Sequence, residues 1–179
     1  MKITDVKTKR VHLGKITLEH MNDLKAYLQD PKVMAFFDEG VMSDNKMIQF
    51  IQEKERFYGI FENENHQLIG HFIYHPWFMI DTYEIGWVLN RTYQQKGIIT
   101  ELAKAVMAYA FEVDKAHRLV ATCQPENLAS KKVCEKLGMR LEGHFKKCIY
   151  VNRVNAWWDE LFYAILEEDY HDLQVSRRR

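Results

Sequence analysis

Proline and glycine are scarce in this chain, 3 and 8 among 179 residues. Flexible connectors and low-complexity segments need far more of both, so the chain reads as one domain without a long linker. The 3 cysteines, Cys123, Cys134 and Cys148, are an odd number with no CxxC spacing. A chain of this length buries about 70% of its unfolded surface and needs no bridges, which favours a reducing, cytoplasmic setting. Charge of one sign is missing too: 25 Lys+Arg stand against 25 Asp+Glu, for a net charge of zero. A general nucleic-acid binder needs a cation excess to displace counterions, so no nucleic-acid partner is expected. No apolar run reaches the ~18 residues of a membrane span, so no membrane partner is expected either. The longest candidate, residues 71–80, is interrupted by His71, His75 and Pro76. The first ten positions alternate charged and polar residues and lack the apolar core of a signal peptide. Metal-ligand spacing is also absent. On a strand, His71 and His75 would share a face about 13 Å apart, too far to grip one ion, so no metal is expected.

What the chain does have is apolar mass, 47% of residues, with 13% aromatic. The patterning predicts a first strand over 10–16. A helix over 19–29 follows, opened by Thr17, striped by Met21, Leu24 and Leu28, and ended by Asp30-Pro31. Ser43 opens a second helix to about residue 56, with Met47, Ile48 and Ile51 on one side. Residues 57–62 and 67–75 read as a hairpin, and 83–89 as a further strand. From Gly97 the period changes. Ile99, Leu102, Val106, Tyr109, Ala110 and Val113 make the stripe of an amphipathic helix. A strand over 119–123, a helix over 126–137 stopped by Gly138, and strands over 140–150 and 159–166 complete a mixed α/β, or α+β, sheet.

The segment that carries chemistry runs from Tyr83 to Glu101. A strand leads into Gln94-Gln95-Lys96-Gly97-Ile98-Ile99-Thr100-Glu101, where Gly97 stands at the mouth of the long helix. The first N–H groups of a helix have no internal partner, its dipole favours negative charge, and glycine lets an anion approach the backbone. The spacing is neither GxxxxGK[ST] nor GxGxxG, so the glycine alone reads equally as a phosphate site or as an ordinary loop residue. About 30 residues on stands the helix-opening run Pro125-Glu126-Asn127-Leu128-Ala129-Ser130, which continues through Cys134 to Leu137-Gly138-Met139. Upstream, Glu84 stands in an otherwise apolar strand.

Together these segments resemble the GCN5-related N-acetyltransferases (GNAT superfamily), and more narrowly the branch containing the ribosomal-protein acetyltransferases RimJ and RimL. There the turn commonly reads Y-x-G-K-G-Y-A-T-E-A and the later helix P-E-N-x-A-S-x-x-x-x-E-K-L-G-F. Thr8-Lys9-Arg10-Val11-His12-Leu13 resembles the opening T-x-R-L-x-L, and Asp30-Pro31-Lys32-Val33-Met34 resembles D-P-E-V-M. His117-Arg118-Leu119 and Glu142-Gly143 match further landmarks, so the resemblance covers residues 8–168. It implies a GNAT fold, a twisted, mostly antiparallel sheet of about seven strands with about four helices.

The resemblance also implies acetyl-CoA as co-substrate and a primary amine as acceptor. The diphosphate loop falls on Gln94, Gln95, Lys96, Gly97, Ile98, Ile99 and Thr100, with Leu89 at the end of the preceding strand. Ile99 departs from a pattern that wants Gly or Ala; its backbone can still donate if the side chain joins the helix stripe. Asn127 would meet the pantetheine arm and Ser130 add a second contact; the alternative for Asn127 is a cap that satisfies its own helix. Glu84 holds the general-base position, with a strand carboxylate ion-paired to Lys or Arg as the alternative. Cys134 falls where many relatives place a Tyr that protonates the leaving thiolate, or else it is a buried apolar residue. A backbone N–H near 87–89 would hold the oxyanion where the sheet splays.

An acceptor groove is expected among Phe36, Phe37, Trp77, Phe78, Trp87, Trp157 and Trp158, with Asp81, Asp159 and Glu160 near; a protein N-terminus, a polyamine and an aminoglycoside all remain open. Trp157 and Trp158 are adjacent, so on a strand one of them leaves the core, and a homodimer contact is one use for it. Two other classes stand beside the enzyme: an acyl-CoA-sensing module on the same fold, and an interaction domain whose glycine loop binds nothing.

Overall fold

The structure is a computed structural model that describes residues 2–53 and 55–176. Among them seven strands form one sheet: β1 (Val11–Gly14), β2 (Phe57–Glu62), β3 (Leu68–Pro76), β4 (Thr82–Leu89), β5 (Arg118–Cys123), β6 (Arg140–Val151) and β7 (Ala156–Leu166). Their order is β1-β2-β3-β4-β5-β7-β6, and every neighbouring pair is antiparallel except β4 with β5. The expected mixed, mostly antiparallel sheet is therefore what the chain forms.

The helices are α1 (Met21–Leu28), α2 (Asp44–Gln52), α3 (Ile98–Glu112), α4 (Leu128–Leu137) and α5 (Glu167–Ser176). Ser43 caps α2 by accepting from the Lys46 N–H, and Gly138 ends α4 at φ +82°, a left-handed turn that glycine adopts without strain. Two elements are shorter than expected. A 3-10 turn, Leu18–His20, precedes α1, and α2 stops at Gln52. The fifth helix was not foreseen. Only Tyr170 of α5 is buried, so no apolar stripe marks it; Glu167, Glu168 and Asp169 favour its N-terminal dipole.

Two apolar layers cover the sheet. On one face α3 brings Leu102, Ala103, Val106 and Ala110 against Ile85 and Leu119. On the other, α1 and α2 bring Leu24, Leu28, Met47 and Ile51 against Leu68 and Val88. Strand alternation does the sorting: Ile85 and Leu89 of β4 face α3, whereas Val88 faces α1 and α2. Glu84 shares the parity of Val88 and so stands on the α1 and α2 face, beyond the ground those helices cover.

The single parallel pairing is where the sheet opens. β4 pairs with β5 only through Thr82, Tyr83 and Glu84, opposite Arg118, Leu119 and Val120. Beyond Glu84 the two strands separate, although β4 continues to Leu89 and β5 to Cys123. The sheet thus opens along about 16 Å of β4, from Glu84 to Leu89.

Candidate active site

At the far end of that opening the chain turns from β4 into α3. Gln95 and Gly97 both have left-handed backbones, at φ +61° and +74°. Left-handed residues alternating with ordinary ones make a concave nest of N–H groups that suits an anion. The N–H groups of residues 95–100 donate to no acceptor among the described residues; the first bonded one is Glu101, to the Gly97 carbonyl. A Cβ on Gly97 would find nothing closer than Arg10 Nη2 at 3.8 Å, so the cradle is open. Ile98 and Ile99 are buried in the main core. Ile99 therefore departs from the family pattern without covering the donors.

The cradle is anchored from outside. Gln94 Nε2 donates to the Leu89 carbonyl at 2.9 Å, fixing the exit from β4. Arg10, just ahead of β1, donates to the Lys96 carbonyl at 2.7 Å and pairs with Glu101 Oε2 at 2.6 Å. A trans peptide puts C=O and N–H on opposite sides, so this grip turns the Gly97 N–H away from Arg10. Burial pushes the Glu101 carboxyl up, but bonds from Thr8 and Arg10 outweigh it and hold the group below its ordinary value. Thr8 and Arg10, landmarks of the opening segment, thus act on a loop remote from them in the chain.

At the start of α4, Asn127 Oδ1 accepts from the Ser130 N–H at 3.2 Å. The cap reading of Asn127 holds, and its amide nitrogen is left for a second partner. Asn127 and Ser130 stand together on the first turn of α4, which packs beside α3. Cys134 is 1% exposed within the main core, and burial, with Cys123 next, pushes its thiol up to about 12. Its setting is that of a packed apolar side chain.

At the near end of the opening lies a cleft of about 490 Å³. Its charged groups are Glu84, Glu160 and Arg118; Trp77, Phe78, Phe145 and Phe162 form aromatic walls, and Thr122 and Met79 complete it. Strand register explains the gathering. Glu84 lies beside Val120, Thr122 lies across from Phe162, and Phe145 across from Glu160, all on one face. Burial pushes Glu160 up, opposed by a bond from Thr122 and reinforced by the charge of Glu84. Arg118 is engaged by Glu142. Among the described residues Glu84 pairs with neither Lys nor Arg: its partner is His75, whose Nε2 is 3.1 Å from Oε2.

The groove expected from sequence is only partly this cleft. Trp77, Phe78 and Glu160 line it; Phe36, Phe37, Trp87, Trp157 and Trp158 do not. Phe37 packs under α1 and α2, and Trp87 packs on the main core. Trp158 lies beneath the Arg153 guanidinium, 5.1 Å from its ring, while Trp157 is 56% exposed beside Tyr150. Sequence reasoning missed Arg118, Thr122, Phe145 and Phe162. Their signal was long-range register, which no local pattern reveals. His71 is buried beside Tyr27, Phe50 and Phe57, away from any ligand cluster. Among the described residues no group of His, Cys, Asp and Glu side chains is placed to hold a metal ion, and no helix is long and apolar enough to cross a membrane.

Comparison with known proteins gives one answer. The acetyltransferase (GNAT) domain family matches residues 10–140. An uncharacterized N-acetyltransferase, YnaD, of Bacillus subtilis (strain 168) is 41% identical over 171 residues, 93% of this chain and 99% of that protein. A crystal structure of a GNAT-family acetyltransferase from Bacillus anthracis, also 41% identical, superimposes with a TM-score of 0.86 over 91% of this chain and 98% of that one. RimL, a ribosomal L7/L12 alpha-N-protein acetyltransferase solved in complex with coenzyme A, shares the fold at 23% identity, with a TM-score of 0.74 over 92% of this chain and 98% of that one. The chain belongs to the GNAT acetyltransferase family, and is an acyltransferase enzyme.

Proposed function

We propose that this enzyme moves the acetyl group of acetyl-CoA to a primary amine held in the cleft beside Glu84. The observation that carries the reading is the opening between β4 and β5, with an open anion cradle at one end and a carboxylate cleft at the other. Coenzyme A fits the cradle: its diphosphate is an anion, and residues 95–100 offer N–H groups without other partners. The amide nitrogen of Asn127 and the Ser130 hydroxyl, at the start of α4, would meet the pantetheine arm. Acetyl-CoA supplies the activated acyl group.

The chain's own groups do the rest. Trp77, Phe162 and the carboxylates of Glu84 and Glu160 attract and orient an ammonium. Glu84 takes its proton, freeing the lone pair for attack on the thioester carbon. Main-chain N–H groups of β4 beyond Glu84, where β5 no longer pairs, stabilise the tetrahedral oxyanion. The nitrogen's second proton leaves with the thiolate. Positioning of the two substrates supplies much of the rate. Cys134 has no part in this scheme.

A second reading gives the base role to Glu160, because burial and the Glu84 charge push its carboxyl up. Turnover of Glu160→Gln below that of Glu84→Gln would transfer the role. The test of the function itself is thiol release from acetyl-CoA across a panel of N-terminal peptides, polyamines and aminoglycosides. Protection from heat unfolding by acetyl-CoA is expected alongside it. Protection without thiol release from any amine would instead favour a sensing module. We also propose that Trp157 and Tyr150, exposed together on the β6–β7 hairpin, anchor a second copy of the chain. Sedimentation at micromolar concentration checks this: a species that stays at 21.4 kDa on concentrating refutes it.

A further inference from the structure

Glu84 stands directly across the β3–β4 ladder from His75. The imidazole has one fixed hydrogen: His75 Nδ1 lies 2.8 Å from the Pro76 carbonyl oxygen. A carbonyl can only accept, so Nδ1 carries the hydrogen and, in the neutral ring, Nε2 presents a bare lone pair. That nitrogen is closed to solvent and has no well-aligned hydrogen bond, and it lies 3.1 Å from Glu84 Oε2. The two atoms are thus within ion-pair distance but off the hydrogen-bond axis, and a small turn of the imidazole would set one proton between them.

We propose that His75 and Glu84 work as a single base, and that the proton lost by the acceptor ammonium is lodged between Glu84 Oε2 and His75 Nε2. This rests on the reading of Glu84 as the base. An N–H bond of the ammonium breaks and its electron pair stays on nitrogen. The proton binds the carboxylate and is shared with Nε2, giving an imidazolium–carboxylate pair. It then leaves to the cleft past the Glu84 carboxylate, whose side chain is 23% exposed. No other acceptor or co-reactant is needed. His75 faces Glu84 and not the amine, so it is a positioning and proton-holding residue. Charged groups on the elements around the pair are Arg118 on β5, held by Glu142, and Glu160 on β7, bonded by Thr122. Asp81 lies in the β3–β4 turn, and Glu55 and Arg56 lie just before β2, where the Arg56 carbonyl accepts from the Tyr74 N–H.

If the two groups act as one base, removing either one removes the same function. The test measures kcat and KM for wild type, His75→Gln, Glu84→Gln and the double variant from pH 6 to 9. His75→Asn is run in parallel, and melting temperatures confirm that each variant folds. At pH 7.5 the expected loss in kcat for His75→Gln is about tenfold or more, with KM for acetyl-CoA unchanged. The double variant should be no slower than Glu84→Gln alone. A His75→Gln enzyme with wild-type kcat overturns the proposal, as does a double variant whose losses multiply. Wild-type turnover in Glu84→Gln would instead remove the reading of Glu84 on which the proposal stands.

Discussion

Arg10 and Glu101, 91 positions apart in the chain, form an ion pair of 2.6 Å, and the same guanidinium holds the Lys96 carbonyl at 2.7 Å. One side chain thereby fixes both the first turn of α3 and the peptide that aims the Gly97 N–H. Replacing Arg10 with Gln should weaken acetyl-CoA binding about tenfold, the scale of one charge-assisted hydrogen bond at a partly exposed site. Titration calorimetry with acetyl-CoA reads this directly. Unchanged affinity would mean that the loop holds its shape without Arg10.

Gly97 tests the same cradle from within. Its φ of +74° is a left-handed conformation that costs other residues roughly 1–2 kcal/mol. The space beside it is open, so the protein itself does not exclude a side chain there. Gly97→Glu should abolish acetyl-CoA binding by putting a carboxylate in the cradle proposed for the diphosphate, while the fold survives at slightly lower stability. Acetyl-CoA affinity retained in a folded Gly97→Glu would sink the assignment of the site.

His71 governs a different property, stability in acid. It is 3% exposed, bonded to the Tyr27 hydroxyl at 3.1 Å, and burial holds its imidazole down at about 3 against an ordinary 6.5. Below pH 6.5 the unfolded chain takes up a proton that the folded chain refuses. Stability from this group is complete above that value and is lost as pH falls toward 3. The melting temperature should therefore drop through this window. His71→Gln should be less stable at pH 7, because a buried bond is disturbed, yet show a flatter pH dependence. A parallel pair of melting curves against pH would contradict the account.

The contrast between the two ends of the site shows what the sequence carries. The cradle lies in one continuous stretch, residues 94–100, so its glycine, its polar run and the stripe containing Ile99 are all visible locally. The cleft is assembled across strands. Phe145 meets Glu160, and Thr122 meets Phe162, only because β7 inserts between β5 and β6. That insertion is a long-range choice that adjacent residues do not encode. The His75–Glu84 pair lay within reach, since it faces across a hairpin, but its register depends on a turn held by the Trp77 N–H and the Thr82 carbonyl. Helix α5 was illegible for another reason: it buries one side chain, Tyr170, stacked on Phe111, and so has no periodic stripe.

The central claim is that a carboxylate on β4, at the point where β5 departs, takes the proton that frees the acceptor amine. Turnover of Glu84→Gln at pH 7, with acetyl-CoA and the best amine of the panel, tests it most directly. The account predicts a loss of roughly 10²-fold or more, with acetyl-CoA affinity unchanged and the deficit shrinking at high pH, where more of the amine is already neutral. Wild-type turnover at pH 7 would contradict it.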